Sequence, residues 1–199
     1  MSFQSLYTAA TGMQAMETKL DVIANDILMR NLGGRQGVAI VASEENDEAV
    51  ILRDDNDGET RYCVMFDPLD GSSNLDIAGG VGTIFSILRK DRRSSKMEDS
   101  LLQPGTRQVC AGFAVFGPST VLVLTLGQGV HSFTLDRELG SFILTREDIR
   151  IPEDTREFAV NMSNQRFWEP PVQRYVGELL AGRSGPRGKD FNMRWVASM

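Results

Sequence analysis

Histidine is nearly missing from this 199-residue chain, which has only His131. Cysteine is almost as scarce, with two residues. Cys63 and Cys110 lie far apart, with no C-x-x-C spacing and no histidine nearby, so the spacing gives no support to a zinc site. Two buried, reduced thiols are the expectation. His131 has no serine or cysteine nucleophile signature around it, which leaves it a structural role. Positive charge is also in deficit: 21 Lys and Arg stand against 27 Asp and Glu, for a net charge of −6. A nucleic-acid binder would show a basic footprint, so that class is set aside, whereas a site that collects cations suits the balance. Long apolar runs are absent, and the N-terminus lacks the basic-then-apolar pattern of a signal peptide. These absences predict a soluble, cytoplasmic protein with neither a membrane nor a nucleic-acid partner.

What is present is ordinary globular material. Charged residues make up 24% and the hydrophobic set 41%, enough for one good core or two small ones. The stretch that stands apart is Phe66-Asp67-Pro68-Leu69-Asp70-Gly71-Ser72-Ser73-Asn74. It sets two carboxylates three residues apart at the end of an apolar run, then a glycine and two hydroxyls. Pro68 fixes its own φ and biases Asp67 towards an extended conformation, which predicts that the strand stops here and a sharp turn begins. Gly71 lets the backbone approach a ligand closely. The chemistry implied is a divalent cation on the carboxylates and a phosphate on the following amides and hydroxyls. By composition alone the same residues make an ordinary acidic turn.

The surroundings change that balance. Met16, Leu20, Ile23 and Ile27 form one apolar stripe of a helix running from about Met13 to Leu32, ended by Gly33-Gly34. Asp21 and Asp26 lie off the stripe and read as solvated carboxylates. Val38 to Ala42 reads as a buried strand that delivers Ser43-Glu44-Glu45 at its end. Ala49 to Leu52 and Thr60 to Asp67 flank Asp55-Asn56-Asp57-Gly58 and read as a hairpin. Two strands thus finish in carboxylates, and pairing would bring Glu44 close to Asp67 and Asp70, which is costly unless a metal sits among them. Thr83 to Arg89 reads as a strand opened by a glycine cluster, and Asp91 to Ser100 as a polar surface loop. Thr120 to Leu126, Val130 to Leu135 and Ser141 to Thr145 read as successive strands, the first two joined across Gly127-Gln128-Gly129. Composition shifts to a charged connector near Ile151-Pro152. Beyond it, Phe158 to Asn161 is strand-like, Pro170 to Leu180 begins as a helix should, and Arg183 to Asp190 reads as a loop. This order predicts an α/β, or α+β layered, architecture.

With these strings in view, the chain resembles class I fructose-1,6-bisphosphatase. Ala42-Ser43-Glu44-Glu45, Phe66 to Asn74 and Val81-Gly82-Thr83-Ile84-Phe85-Ser86-Ile87 carry the likeness. Gly129 to Asp136, Arg166 to Pro171 and Gly185 to Asp190 extend it over about residues 19–199. The resemblance implies the layered sugar-phosphatase fold shared with inositol monophosphatases, and hydrolysis of the 1-phosphate of fructose 1,6-bisphosphate with two or three Mg²⁺. By motif, Glu44, Asp67, Asp70 and the Leu69 carbonyl would hold metal. Asp70, Gly71, Ser72 and Ser73 would hold the reacting phosphate, and Asn161 and Arg194 would contact the other phosphate, Arg194 from a neighbouring subunit. Glu45 and Asp21 match acidic residues at the catalytic centre. Members assemble as homotetramers; the oligomeric state of this chain stays open.

The resemblance is incomplete. Trp195 stands where the family usually has a substrate-contacting tyrosine. The C-terminal part of the family's sugar-phosphate domain is missing, and with it a glutamate metal ligand, so the expectation is a truncated enzyme of impaired activity. The expected organisation is an atypical segment over 1–18, a metal-bearing phosphatase domain over 19–152, and the start of a sugar-phosphate domain over 153–199. Residues 1–25 are similar to the N-terminal helix of flagellar distal-rod proteins. Another lithium-sensitive sugar or inositol phosphatase, or a non-catalytic fragment bearing that rod-like segment, is the alternative.

Overall fold

The computed structural model describes residues 20–53, 61–91, 93 and 96–195. Within them the chain forms two compact units, one running up to Ile149 and the other from Arg150. Among the described residues, no helix is long and apolar enough to cross a membrane. The expected turn over Asp55 to Gly58, and Met16 of the helical stripe, lie outside the described residues.

The first unit is built on one eight-stranded sheet. Its strands are β1 (Val38–Ser43), β2 (Val50–Ile51), β3 (Tyr62–Asp70), β4 (Val81–Arg89), β5 (Gln108–Phe116), β6 (Thr120–Thr125), β7 (Val130–Asp136) and β8 (Ser141–Arg146). Their order is β2-β1-β3-β4-β5-β6-β7-β8. β1 and β3 run parallel, and each other neighbouring pair is antiparallel. β3 carries buried residues on both faces, as the sequence suggests, because α1 covers Val64 and Phe66 while Met97 and Leu101 pack with Cys63 on the other side. The expected hairpin between β2 and β3 does not form. β2 turns back onto β1, with Ile51 opposite Ile40 and Val50 opposite Val41. The short link from Ser43 to Val50 allows that antiparallel return, and it leaves the other edge of β1 for the more apolar β3.

A strand that the sequence reading passes over, β5, lies inside the sheet between β4 and β6. Its small residues, Ala111, Gly112 and Ala114, mute the usual strand signal. Gly112 is required by contact: a Cβ there would meet the Val123 carbonyl oxygen at 2.5 Å and the Phe85 ring at 2.9 Å. The β6–β7 connection is the hairpin expected from Gly127-Gln128-Gly129, with both glycines at φ 91°. His131, on β7, accepts from the Asp148 N–H at Nδ1.

Helix α1 covers residues 20–33. It packs Leu28, Met29 and Leu32 against Val38, Val41, Val64 and Phe66. This corrects the expected face. Leu20, Ile23 and Ile27 are exposed, and the helix instead turns the Asp21, Asn25, Leu28, Met29 and Leu32 side inward. Two polar residues at the head of that face disguise it in the sequence, whereas the 4-3 spacing of the other stripe advertises itself. Asp21 is accordingly half-buried, while Asp26 is solvated and pairs with Arg30 at 3.6 Å. The Arg53 guanidinium ties the end of α1 to β1 by donating to the carbonyls of Gly33, Arg35 and Val38.

A second core cluster joins Ala39, Ile40, Cys63, Leu88 and Met97. Met97 and Ser100 are buried, so the expected surface loop is anchored at its far end, and Ser100 Oγ accepts from the Asp91 N–H. Cys63 is buried as expected, but Cys110 is only half-buried.

The second unit holds α2 (Pro170–Leu180) and a parallel pair, β9 (Glu157–Phe158) with β10 (Asn192–Met193). The strand expected to reach Asn161 ends at Phe158, because Asn161 caps a 3₁₀ turn over Met162–Phe167.

Candidate active site

The parallel pairing of β1 and β3 is what assembles the site. Ser43 lies opposite Phe66, and the Glu44 N–H donates to the Phe66 carbonyl at 3.0 Å. Parallel strands end on the same edge of a sheet, so Glu44 and Glu45 emerge beside Asp67. The acidic turn is tethered locally as well. Ser43, itself buried, accepts the Glu45 N–H at Oγ and the Asn46 N–H at its carbonyl. From α1, Asn25 Nδ2 donates to Asn46 Oδ1 at 3.1 Å.

β3 does not stop before Pro68. It continues to Asp70 through an irregularity in its pairing with β4, where Asp67 faces Ile84 and Asp70 faces Gly82. The irregularity absorbs the missing N–H of Pro68. Pro68 is fully buried, its carbonyl accepts from Thr83 Oγ1 at 2.9 Å, and Asp67 Oδ1 accepts from the Leu69 N–H at 2.9 Å. The turn begins one step later, at Gly71, which is left-handed at φ 73°, ψ 32°. The 3₁₀ turn Ser72–Ile77 follows. Asn74, assigned no part of its own by the sequence reading, is buried and holds this turn closed. Its Nδ2 donates to the Gly80 carbonyl, its N–H to Gly71 and its own carbonyl accepts from Gly79. A Cβ on Gly79 would lie 3.0 Å from Asn74 Cβ, so this glycine serves close packing over Asn74. The signal available in the sequence was the residue type itself, since an Asn side chain readily bonds nearby backbone in a turn.

Electrostatics shows that the carboxylates share one field. Glu45 is held above the ordinary carboxylate range by partial desolvation first, then by the charges of Asp21, Glu44 and Asp67. Asp67 is also pushed up, chiefly by burial and then by Glu44 and Asp70, against the lowering hydrogen bond from Leu69. Among the described residues, no three such side chains converge as a closed metal-binding group. The donor set still fits Mg²⁺, a hard cation held by one or two carboxylates plus water and phosphate oxygens. Repelling oxygens held at one sheet edge are the chemistry such an ion relieves.

A concavity of about 640 Å³ opens along the sheet from β1 to β7, and Glu44 and Asp67 are the charged residues in its wall. Asp70 to Ser73 are not part of it, and the remaining wall is mostly apolar. Such a wall offers few polar partners to a charged ligand. The other two candidate residues lie in the second unit. Asn161 accepts from the Ser163 N–H and hydroxyl at Oδ1, and Arg194 donates from Nε to Glu157 at 2.7 Å.

Comparison with known proteins gives the same direction. The N-terminal domain model of fructose-1-6-bisphosphatase matches residues 5–147. That range takes in much of the segment likened above to rod proteins, and so lends that likeness no support. Crystal structures of Leishmania major fructose-1,6-bisphosphatase are similar to this chain in three states. The holo form shares 37% identity at a TM-score of 0.79 over 90% of this chain and 55% of that one. The apo form shares 34% at 0.80 over 98% and 65%, and the T-state form 36% at 0.79 over 90% and 56%. The chain therefore spans from 55% to 65% of the length of these relatives. A family model covering most of the chain, a sheet that superposes on these enzymes and an acidic edge built on Asp67-Pro68-Leu69-Asp70-Gly71 together show that the chain belongs to the fructose-1,6-bisphosphatase family.

Proposed function

We propose that the acidic edge of β1 and β3 binds Mg²⁺ and supports hydrolysis of the 1-phosphate of fructose 1,6-bisphosphate, giving fructose 6-phosphate. The observation that carries this reading is the parallel register that sets Glu44 and Glu45 beside Asp67, four residues before Gly71. Glu44, Asp67, Asp70 and the Leu69 carbonyl would hold the metal, two or three ions per site. Bound Mg²⁺ supplies charge neutralisation for the phosphoryl group and makes a nearby water more acidic. Glu45, its carboxyl poised upward by desolvation and by Asp21, takes the proton of the attacking water. Asp70 and the amides and hydroxyls of Gly71, Ser72 and Ser73 orient the phosphate, with Asn74 keeping their turn closed.

In this reading residues 19–152 form the metal-bearing domain and 153–199 begin the sugar-phosphate domain, where Asn161 and Arg194 would meet the second phosphate. The compartment is the cytoplasm, and the net charge of −6 speaks against a nucleic-acid partner.

The test is phosphate release from fructose 1,6-bisphosphate with and without Mg²⁺, beside Asp67→Asn and with inositol 1-phosphate as the competing substrate. Mg²⁺-dependent release that the variant lowers by about 100-fold or more is expected. Equal background from both proteins would remove the catalytic reading, and preference for the inositol ester would replace the substrate.

A further inference from the structure

We infer that Asn25 and Asn46 are positioning residues, whose amide-to-amide hydrogen bond sets the separation between α1 and the acidic turn that follows β1. The kinetic part of this inference rests on the phosphatase reading above; the structural part does not.

Asp21 and Asn25 are four residues apart on α1 and share one face of it. That face is the inward one, and both residues are half-buried. Across from it, Glu45 and Asn46 are neighbours in the turn. Asn25 Nδ2 donates to Asn46 Oδ1 at 3.1 Å, one helical turn from Asp21 and one residue from Glu45. Glu45 also feels the charge of Asp21, so the bond joins the same helix and turn that bear this repelling pair, and it is made by groups that carry no charge.

The other tethers of the turn act from the sheet. The Glu44 N–H reaches β3, and the Glu45 and Asn46 N–H groups return to Ser43. Among the described residues, these bonds fix the turn on β1 and β3, and the Asn25–Asn46 bond joins it to the helix. Asn25 Oδ1 is buried and has no hydrogen-bond partner among the described residues, so the Nδ2 bond is what orients this amide. Two like-charged carboxyls facing each other repel, and a neutral amide pair beside them holds the gap without adding to the field. Replacing either amide by a charged group would add a charge to that field, and replacing it by an apolar one would release the helix from the turn.

The experiment uses the full chain with Asn25→Ala, Asn46→Ala and Asn46→Asp, the last of which keeps an acceptor for Asn25 Nδ2. Amide hydrogen exchange is followed over residues 44–49 and over β5 to β7, together with kcat and KM for Mg²⁺-dependent phosphate release. Both alanine variants should speed exchange over residues 44–49 about fivefold while β5 to β7 stay unchanged, and Asn46→Asp should exchange like the wild type. Both should lower kcat about tenfold with KM within about twofold, the signature of a misplaced proton acceptor rather than of lost substrate binding. Unchanged exchange over 44–49, equal acceleration throughout the sheet, or faster local exchange with unaltered kcat would each overturn the inference. If the wild type shows no Mg²⁺-dependent release, the proposed function falls, and the exchange measurement alone decides: local acceleration upholds the tether and its absence refutes it.

Discussion

At the scale of single residues, the site is a set of charges that the fold holds together at a cost. Asp67 is half-buried among Glu44 and Asp70 and is pushed towards its protonated form. The Asp67→Asn variant keeps an oxygen for the Leu69 N–H while removing one of the repelling charges. Without metal it should melt a few degrees above the wild type, since about 1 kcal/mol moves the transition of a chain this size by roughly 2–4 °C; differential scanning calorimetry measures it. Asn74 works in the opposite direction. Truncation to alanine removes the side-chain hydrogen bond to the Gly80 carbonyl and loosens the closure of the Ser72–Ile77 turn, which should cost about 1 kcal/mol in urea denaturation. Cys63 offers a pH test. Burial pushes its thiol up, with Ser100 and Lys90 pulling weakly the other way. A folded-state value above the unfolded one means the contribution to stability is complete below the ordinary thiol range of about 8.5 and is lost as pH rises through the folded value. Alkylation of Cys63 should therefore stay slow at pH 8, and stability should fall as the medium becomes more alkaline than that range.

At the scale of elements, β5 and α1 show how burial overrides local pattern. β5 reads weakly because Ala111, Gly112 and Ala114 are small, yet Gly112 is what admits the Phe85 ring and the β6 backbone. Gly112→Val would drive a side chain into the Val123 carbonyl, which a Cβ alone would meet at 2.5 Å. The backbone cannot yield as a flexible side chain would, so a loss of about 2–4 kcal/mol is expected, measured as a shifted denaturation midpoint. α1 teaches the converse lesson. Its more regular apolar stripe faces outward, and the side that carries Asp21 and Asn25 faces the sheet. A helix that must deliver a carboxyl to a sheet edge has polar residues on its buried face, and periodicity alone ranks that face second.

For the whole molecule, the two units meet in sequence at Ile149 and Arg150. Residues 151–157 are exposed throughout, Ile151 at 95%. Exposed backbone between compact units is where proteases cut first. Brief trypsin treatment should cleave at Arg150 or Arg156 before any site in β3 to β7, and mass spectrometry of the first fragments checks this. Early cuts inside the sheet would contradict the division.

The residue order by itself determined the local chemistry of this protein. Asp67-Pro68-Leu69-Asp70-Gly71 announces carboxylates, a break in the ladder and a left-handed glycine, because each of those properties belongs to a residue type and its own φ and ψ. The β6–β7 hairpin and α2 were legible for the same reason: glycines at Gly127 and Gly129, and proline at the first turn of α2, act within a few residues. Pairing was not legible. That β3 runs parallel to β1 while β2 folds back on its other edge, that β5 sits inside the sheet, and that α1 turns its polar-headed face inward depend on which surfaces bury one another over long separations in sequence. Only the tertiary structure decided these, and with them the strand contact on which the expected approach of Glu44 to Asp67 depends, since parallel adjacency of β1 and β3 is a property of the pair and is encoded in neither strand alone.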